Sequence, residues 1–147
     1  MKTKFSTVIL AGVFSTCLYA QASGEPDVSG NWVDSANGSL KWMVTEKDGK
    51  IHVQEMNGEK VEADYTCPLN GQECPVSEEG RHETVMIYYN GDKLVEIRER
   101  GGDTLKRRIS LSPDGKTMQV ERVPLSPTQK SETLTFQRQA SAGTSKS

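Results

Sequence analysis

Turn-forming dipeptides recur at short intervals along this chain, and they restrict the folds that it can adopt. Asn-Gly and Asp-Gly pairs supply the positive φ values that tight hairpins need. The runs between them are short and rich in Val, Ile, Thr and Tyr, and no stretch shows a sustained 3.6-residue period. The pattern therefore predicts an all-β domain. The turn signals are Asp48-Gly49, Asn57-Gly58, Asn90-Gly91, Gly101-Gly102 and Asp114-Gly115.

The stretches between the turns predict up to nine strands. Between Cys67 and Arg81 we expect a loop, with at most a short edge strand near Val76. A second loop follows Val123, because Pro124 and Pro127 exclude ladder hydrogen bonds. The predicted strands are Gly30–Val33, Leu40–Thr45, Ile51–Met56, Val61–Thr66, Glu83–Tyr89, Lys93–Arg100, Thr104–Leu111, Thr117–Val123 and Glu132–Arg138.

Alternation assigns one face of each strand to the core and the other to solvent. Eight or nine strands with one apolar face must bury that face against one another. An antiparallel up-and-down meander, closed or nearly closed into a small barrel, does this and removes the sheet edges. A β-sandwich is the alternative. The predicted core is Leu40, Trp42, Val44, Ile51, Val53, Val61, Ala63, Tyr65, Val85, Ile87, Tyr89, Val95, Ile97, Leu105, Ile109, Leu111, Met118, Val120, Leu134 and Phe136, and the predicted outer face includes Glu96, Arg98, Arg108 and Glu121.

The N-terminus has the layout of a secretory signal peptide. Lys2 and Lys4 precede an uncharged, mostly apolar stretch, Phe5–Leu18, and an A-x-A cleavage site follows at Ala20-Gln21-Ala22. An uncleaved membrane anchor is one alternative. A lipid-modified Cys17 is another, although the residue before it is not the small one that a lipoprotein signal requires. The layout predicts export to the periplasm or the cell exterior.

Cleavage after Ala22 leaves 125 of the 147 residues and removes two lysines, which changes the formal net charge from −2 to −4. Mild acidity without a basic cluster argues against nucleic-acid binding. No second apolar run is long enough for a membrane span after cleavage. We expect a signal peptide at 1–22, a flexible segment at 23–28, one β domain at 29–139 and a disordered tail at 140–147.

Two cysteines, Cys67 and Cys74, remain after cleavage, and Asn70-Gly71 between them favours a turn. An even cysteine number in an exported chain indicates a disulfide. Redox catalysis usually has C-x-x-C spacing, which is absent. A zinc site would need further ligands, and only His52 and His82 could add nitrogen.

The sequence lacks the motifs of the common catalytic and cofactor sites. It has no Gly-x-Ser-x-Gly, His-Glu-x-x-His, P-loop, EF-hand or Rossmann fingerprint. His52 alternates with Ile51 and Val53, so it should face solvent, and His82 begins a strand beside charged residues. We therefore predict a protein that is not an enzyme, with no catalytic residue, metal ligand or cofactor.

Charge in phase with the core is the one discordant pattern. Arg107 lies between Leu105 and Ile109, and Glu55 and Arg122 continue the core faces of their strands. Three interpretations remain open for Arg107: a strand end or bulge that turns it outward, an internal ion pair with Glu55, or an anion-binding pocket.

The Gly-x-Trp at Gly30–Trp32 resembles the opening of lipocalins and other calycin-like barrels, in which the Trp plugs the closed end. Most of Val28–Gln139 is similar to small, uncharacterised exported bacterial proteins. That likeness rests on the segments Cys67–Gly71, Ser112–Lys116 and Glu132–Arg138. The resemblance implies a barrel with room for a ligand and brings no known activity.

Two kinds of function fit these observations. The first is a non-enzymatic exported barrel that binds a small molecule at its mouth, where Arg107, Arg122, Tyr65, Tyr89 and Met118 would contact the ligand. The second is an interaction module whose partner is an envelope or secreted protein. One form of it is similar to the periplasmic inhibitors of secreted metalloproteases, whose N-terminal segment enters the protease; the other is a structural envelope protein.

Overall fold

The computed structural model describes residues 24–78, 80–125 and 128–140, and this part of the chain consists of strands and connecting loops without a helix. The hairpin turns fall at the Asp-Gly, Asn-Gly and Gly-Gly pairs predicted above, with positive φ at Gly49, Gly91 and Gly115. The strands are β1 Gly30–Asp34, β2 Leu40–Lys47, β3 Lys50–Asn57, β4 Lys60–Pro68, β5 Cys74–Glu78, β6 Arg81–Asn90, β7 Lys93–Arg100, β8 Asp103–Leu111, β9 Thr117–Pro124 and β10 Glu132–Arg138.

All ten strands belong to one antiparallel sheet, in the order β4-β3-β2-β1-β10-β9-β8-β7-β6-β5. The first and last strands pair, with Trp32 opposite Arg138 and Asp34 opposite Phe136. A single sheet that returns on itself is a nearly closed barrel, so the predicted up-and-down barrel is confirmed and the sandwich is wrong. The structure has one strand more than the nine predicted, because the optional edge strand near Val76 is present as β5 within the stretch otherwise predicted as a loop.

A seam remains between β4 and β5, the two end strands of the sheet, which are not hydrogen-bonded to each other. The predicted disulfide between Cys67 and Cys74 is confirmed and crosses this seam, with the two Cα atoms 5.7 Å apart. In the connecting loop, Gly71 N donates to Ile87 O at 2.9 Å, which holds the loop against β6. The seam is therefore tied covalently where β4 ends and β5 begins.

Alternate turns of an up-and-down barrel lie at opposite ends. We call the end with the β2–β3, β6–β7 and β8–β9 turns the closed end, and the opposite end, with the β3–β4, β5–β6 and β7–β8 turns, the mouth. Apolar side chains fill the closed half, among them the fully buried Phe136, Ile51, Ile87 and Met118. The void that remains between them measures about 10 Å³, too small for anything larger than a single water molecule.

The chain that precedes β1 packs against the closed end. Trp32 is fully buried, and its Nε1 donates to Val28 O at 2.9 Å. Tyr89 donates its hydroxyl to Pro26 O at 3.0 Å, and the Arg138 guanidinium lies 4.3 Å from the Trp32 ring centroid. Pro26 and Val28 of the segment expected to be flexible thus contact the barrel. The predicted signal peptide at 1–22, Cys17 and the tail at 141–147 lie outside the described residues.

The predicted faces need correction at β7 and at the start of β4. On β7, Glu96 and Arg98 lie inside the barrel, and Val95 and Ile97 belong to the outer face, because β7 follows the register that its hairpin with β6 sets. Val95 is nevertheless buried, as predicted, with 2% of its surface exposed. On β4, Val61 is 44% exposed instead of buried, because the ladder shifts between Glu55 and Met56 and leaves it at the rim of the mouth.

The described residues contain no helix long and apolar enough to cross a bilayer.

We expect removal of the disulfide to destabilise the barrel. In the double variant Cys67→Ala, Cys74→Ala, the free energy of unfolding should fall by about 2–3 kcal/mol, since the bridge limits the unfolded chain and joins two strands that share no ladder. Urea unfolding followed by circular dichroism measures the difference. The reduced wild-type protein is the control and should match the variant; equal stability of oxidised and reduced protein would contradict this role.

A buried network of arginine and glutamate at the barrel mouth

Charged side chains occupy the inner face of the barrel in its mouth half. The inward positions of β3 run from Ile51 and Val53 near the closed end to Glu55 near the mouth, and β6, β8 and β9 show the same change. The buried charged residues are Asp34, whose carboxylate accepts hydrogen bonds from the backbone of the β1–β2 loop, and Glu55, Glu83, Glu96 and Arg107. The interior is therefore divided into an apolar half and a charged half.

Two tight hairpins bring these charges together. Gly91-Asp92 connects the paired residues Asn90 and Lys93, and this register sets Glu96 opposite the inward-facing Ile87. Gly101-Gly102 makes the next two-residue turn and sets Arg107 opposite Glu96. The glycines adopt positive φ, as such turns require. Turn chemistry thus determines that an acid and a base face each other inside the barrel.

Arg107 is 6% exposed and forms a bidentate ion pair with Glu55. Its Nη1 donates to Glu55 Oε1 at 2.6 Å and its Nη2 to Oε2 at 3.2 Å, and Nη1 also reaches Glu96 Oε1 at 3.3 Å. The guanidinium carbon lies 5.0 Å from the Trp42 ring centroid. Of the three interpretations of Arg107, the internal ion pair with Glu55 is the one that the structure contains.

Arg98 joins the three buried carboxylates. Its nitrogens lie 3.1 Å from Glu55 Oε1, 3.2 Å from Glu96 Oε1 and 3.5 Å from Glu83 Oε2. Tyr65 donates its hydroxyl to Glu96 Oε2 at 2.8 Å, and its ring centroid lies 5.1 Å from the guanidinium carbon of Arg98. Each carboxylate is thus compensated by at least one arginine, which buried charge requires.

The network shifts the pKa of its members. Burial alone raises the pKa of Glu55, but the charges of Arg107 and Arg98 and the Arg107 hydrogen bond outweigh burial, so that this pKa lies below its usual value. Burial, with the neighbouring Glu96 charge, raises the pKa of Tyr65 well above its usual value. Glu55 is therefore held as a carboxylate and Tyr65 as a neutral hydrogen-bond donor.

A cavity of about 380 Å³ opens above the network at the mouth. Arg100 extends over it and pairs with Glu83, and Arg122 lies opposite Arg107 and pairs with Glu132 at the rim. Four acidic and four basic residues line the cavity, so neither sign of charge dominates. The lining residues are Glu55, Glu62, Ala63, Glu83, Arg98, Arg100, Asp103, Thr104, Leu105, Arg107, Arg122, Pro124 and Gln129.

The structure brings together two of the five residues predicted to contact a ligand. Arg107 and Arg122 line the mouth cavity. Tyr65 lies below it, bound to Glu96, and Met118 borders the small apolar void of the closed half. Tyr89 lies at the closed end, where its hydroxyl donates to Pro26 O.

Sequence reasoning missed Glu83, Glu96, Arg98 and Arg100. Glu96 and Arg98 were assigned outward because Val95 and Ile97 are apolar and alternate with them. The signal that identifies them is the hairpin register: once Ile87 faces inward, a two-residue turn forces Glu96 to do the same.

The described residues contain no cluster of His, Cys, Asp or Glu that could hold a metal ion. His52 binds Asp64 on the exposed outer face at 2.7 Å. His82 meets Ser77 across the β5–β6 hairpin at 3.0 Å, also on exposed residues. Both histidines therefore hydrogen-bond to residues outside the charged network.

Comparison with known proteins reveals the fold and no close relative. No family model matches the sequence, and no curated protein matches it significantly. A fatty-acid-binding protein of Schistosoma mansoni, solved with arachidonic acid, superposes with a TM-score of 0.64 at 14% identity, over 80% of this chain and 100% of that one.

Two further solved structures agree. Fatty-acid-binding protein 1 of Echinococcus granulosus gives a TM-score of 0.62 at 11% identity, over 77% of this chain and 98% of that one. An SAHS protein of Ramazzottius varieornatus gives 0.64 at 10% identity, over 79% and 97%. At such identities the likeness extends to the fold alone: this chain shares the antiparallel β-barrel fold of these structures.

The buried ion pair between Arg107 and Glu55 should contribute more to the free energy of unfolding than the exposed pair between Arg108 and Glu121. We expect Arg107→Met to lower the free energy of unfolding by about 3–5 kcal/mol, because it removes the bidentate partner of Glu55 and leaves Arg98 as the one cation shared by the buried Glu55 and Glu96. Arg108→Met on the outer face, which breaks the half-exposed pair with Glu121, is the matched control and should cost less than about 1 kcal/mol. Similar losses in the two variants, measured by urea unfolding, would contradict the internal assignment.

Acid should weaken the barrel through Glu55. Because the folded-state pKa of Glu55 is depressed, its stabilisation is complete above the unfolded-state pKa of about 4.3 and is lost as the pH falls through the folded value. Urea unfolding between neutral and acidic pH measures this loss. Glu55→Gln should be less stable at neutral pH and should lose less on acidification; parallel pH profiles would argue against the shift.

Proposed function

We propose that this protein is a non-enzymatic exported β-barrel that binds a small polar ligand at its mouth. Export is supported by the signal-peptide layout at 1–22 and by the disulfide, since disulfides persist in oxidising compartments outside the cytoplasm. The expected location is the periplasm or the cell exterior. Barrels of this architecture commonly hold one small ligand.

The mouth cavity is the observation that carries the proposal. Its volume of about 380 Å³ falls within the usual range for small-molecule sites. Arg107 on its floor and Arg122 at its rim are charged groups held in place by ion pairs, so they offer a ligand directed hydrogen-bond donors. Ordered polar groups of this kind favour affinity because little freedom is lost on binding.

The interior argues against a long-chain lipid as the ligand. The solved neighbour from Schistosoma mansoni was crystallised with arachidonic acid. In this chain the apolar half retains a void of only about 10 Å³, so an acyl chain would have to displace packed side chains such as Ile87 and Met118. A compact hydrophilic ligand needs no such rearrangement.

The protease-inhibitor alternative receives less support from the N-terminal segment. An inserting segment must be free to leave the barrel. Here Val28 is fully buried, and the carbonyls of Pro26 and Val28 accept hydrogen bonds from Tyr89 and Trp32. Insertion into a partner would break these contacts.

Native mass spectrometry of the protein purified after export tests the proposal. We expect the denatured mass of Ser23–Ser147 less two hydrogens, without lipid, and a native spectrum with an added small molecule that is lost on denaturation. Arg122→Gln should reduce the bound fraction and Arg108→Gln should not. The proposal would be overturned if the wild-type protein and both variants gave native spectra without an added molecule. It would also be overturned if a fluorescent fatty acid bound in the barrel interior.

A further inference from the structure

Unused hydrogen-bonding capacity converges on the mouth cavity. Of the described residues, four have a buried side-chain nitrogen or oxygen without a hydrogen-bond partner, and three of the four line this cavity. These atoms are Arg107 Nε, Arg122 Nε and Glu83 Oε2; the fourth is Trp42 Nε1. Buried polar groups are normally satisfied, so the concentration of exceptions in one cavity marks a binding site.

The two donors belong to one cross-strand pair. Arg107 on β8 and Arg122 on β9 are direct neighbours in the ladder and both face inward. Like charges in this arrangement repel each other, and their existing partners, Glu55 and Glu132, lie on two other strands, β3 and β10. A carboxylate seated at the pair would relieve the repulsion and accept hydrogen bonds from both guanidinium groups.

The acceptor, Glu83 on β6, lines the same cavity. Glu83 is 4% exposed; its Oε1 pairs with Arg100, while its Oε2 is 3.5 Å from Arg98 Nη1, too far for a hydrogen bond. A ligand ammonium is the group that suits such an oxygen. Because equal numbers of acidic and basic residues line the cavity, a ligand with net charge of either sign meets as many like charges as opposite ones.

The spacing of the strands indicates the length of the ligand. Thr84 is level with Glu99 and Thr104, so Glu83 lies four residues nearer the mouth than Arg107 as well as two strands away. The two Cα positions are therefore about 16 Å apart along the sheet, and the two long side chains, which extend into the same cavity, shorten this gap by more than half. Two extended residues span about 7 Å between their termini. We propose that the mouth binds a small zwitterion of the dipeptide class, with its carboxylate at Arg107 and Arg122 and its ammonium at Glu83. This inference rests on the proposed function and specifies the ligand class.

Isothermal titration calorimetry with alanyl-alanine and its two charge-deleted analogues tests the inference. Alanyl-alanine should bind to the purified protein. N-acetyl-alanyl-alanine and alanyl-alanine amide should each bind at least about tenfold more weakly, because each loses one of the two charge-assisted contacts that the ligand makes in the cavity. Arg122→Gln should remove the advantage of alanyl-alanine over the amide. Glu83→Gln should remove its advantage over the N-acetyl form, and Arg108→Gln, on the outer face, should change neither.

Each outcome separates the ligand class from the wider proposal. Absence of alanyl-alanine binding, or equal affinity for the N-acetyl form, overturns the zwitterion. If the native mass spectrum then still shows an added molecule that Arg122→Gln releases, the mouth binds a ligand of another class; if it shows none, both proposals fail. Arg122 lies at the rim, so its variant remains informative even if Glu83→Gln does not fold.

Discussion

The ion pairs between Glu55, Glu96, Arg98 and Arg107 are the interaction on which the rest of the barrel depends. They connect β3 through the barrel interior to β7 and β8, two strands with which β3 shares no backbone hydrogen bonds. Three buried carboxylates could not remain charged without the arginines between them. The network therefore fixes the width of the mouth half, while close-packed apolar side chains fix the closed half.

The fold was predictable from the sequence because short-range signals agree with one another. Turn dipeptides and alternation located nine strands, and the cysteine count predicted the disulfide, whereas β5 was expected only as an optional short edge strand near Val76. Pro75 cannot donate a ladder hydrogen bond, and the few residues that follow the Cys67–Cys74 loop alternate too briefly to distinguish a strand from a loop. Short edge strands held by neighbours rather than by their own pattern are difficult to identify in this way.

The candidate site was only half predictable. Arg107, Arg122 and Glu55 stood out because they interrupt an apolar face, but Glu96 and Arg98 were hidden by Val95 and Ile97, which form a convincing apolar alternation on the wrong side. Hydrophobicity alone assigned the wrong residues of β7 to the barrel interior, whereas the register of the β6–β7 hairpin identifies the right ones. The arrangement of the cavity depends on ion pairs between distant strands, which no local pattern reveals.

The seam between β4 and β5 has a consequence for how the protein behaves in a crowded solution. Free strand edges invite pairing with other molecules and promote fibril formation. Here the two edges that the sheet leaves free belong to consecutive strands, face each other and are bound together by Cys67–Cys74. The disulfide keeps the two edges together where β4 ends and β5 begins, so a foreign strand cannot pair with either edge there, although the sheet has no continuous ring of hydrogen bonds.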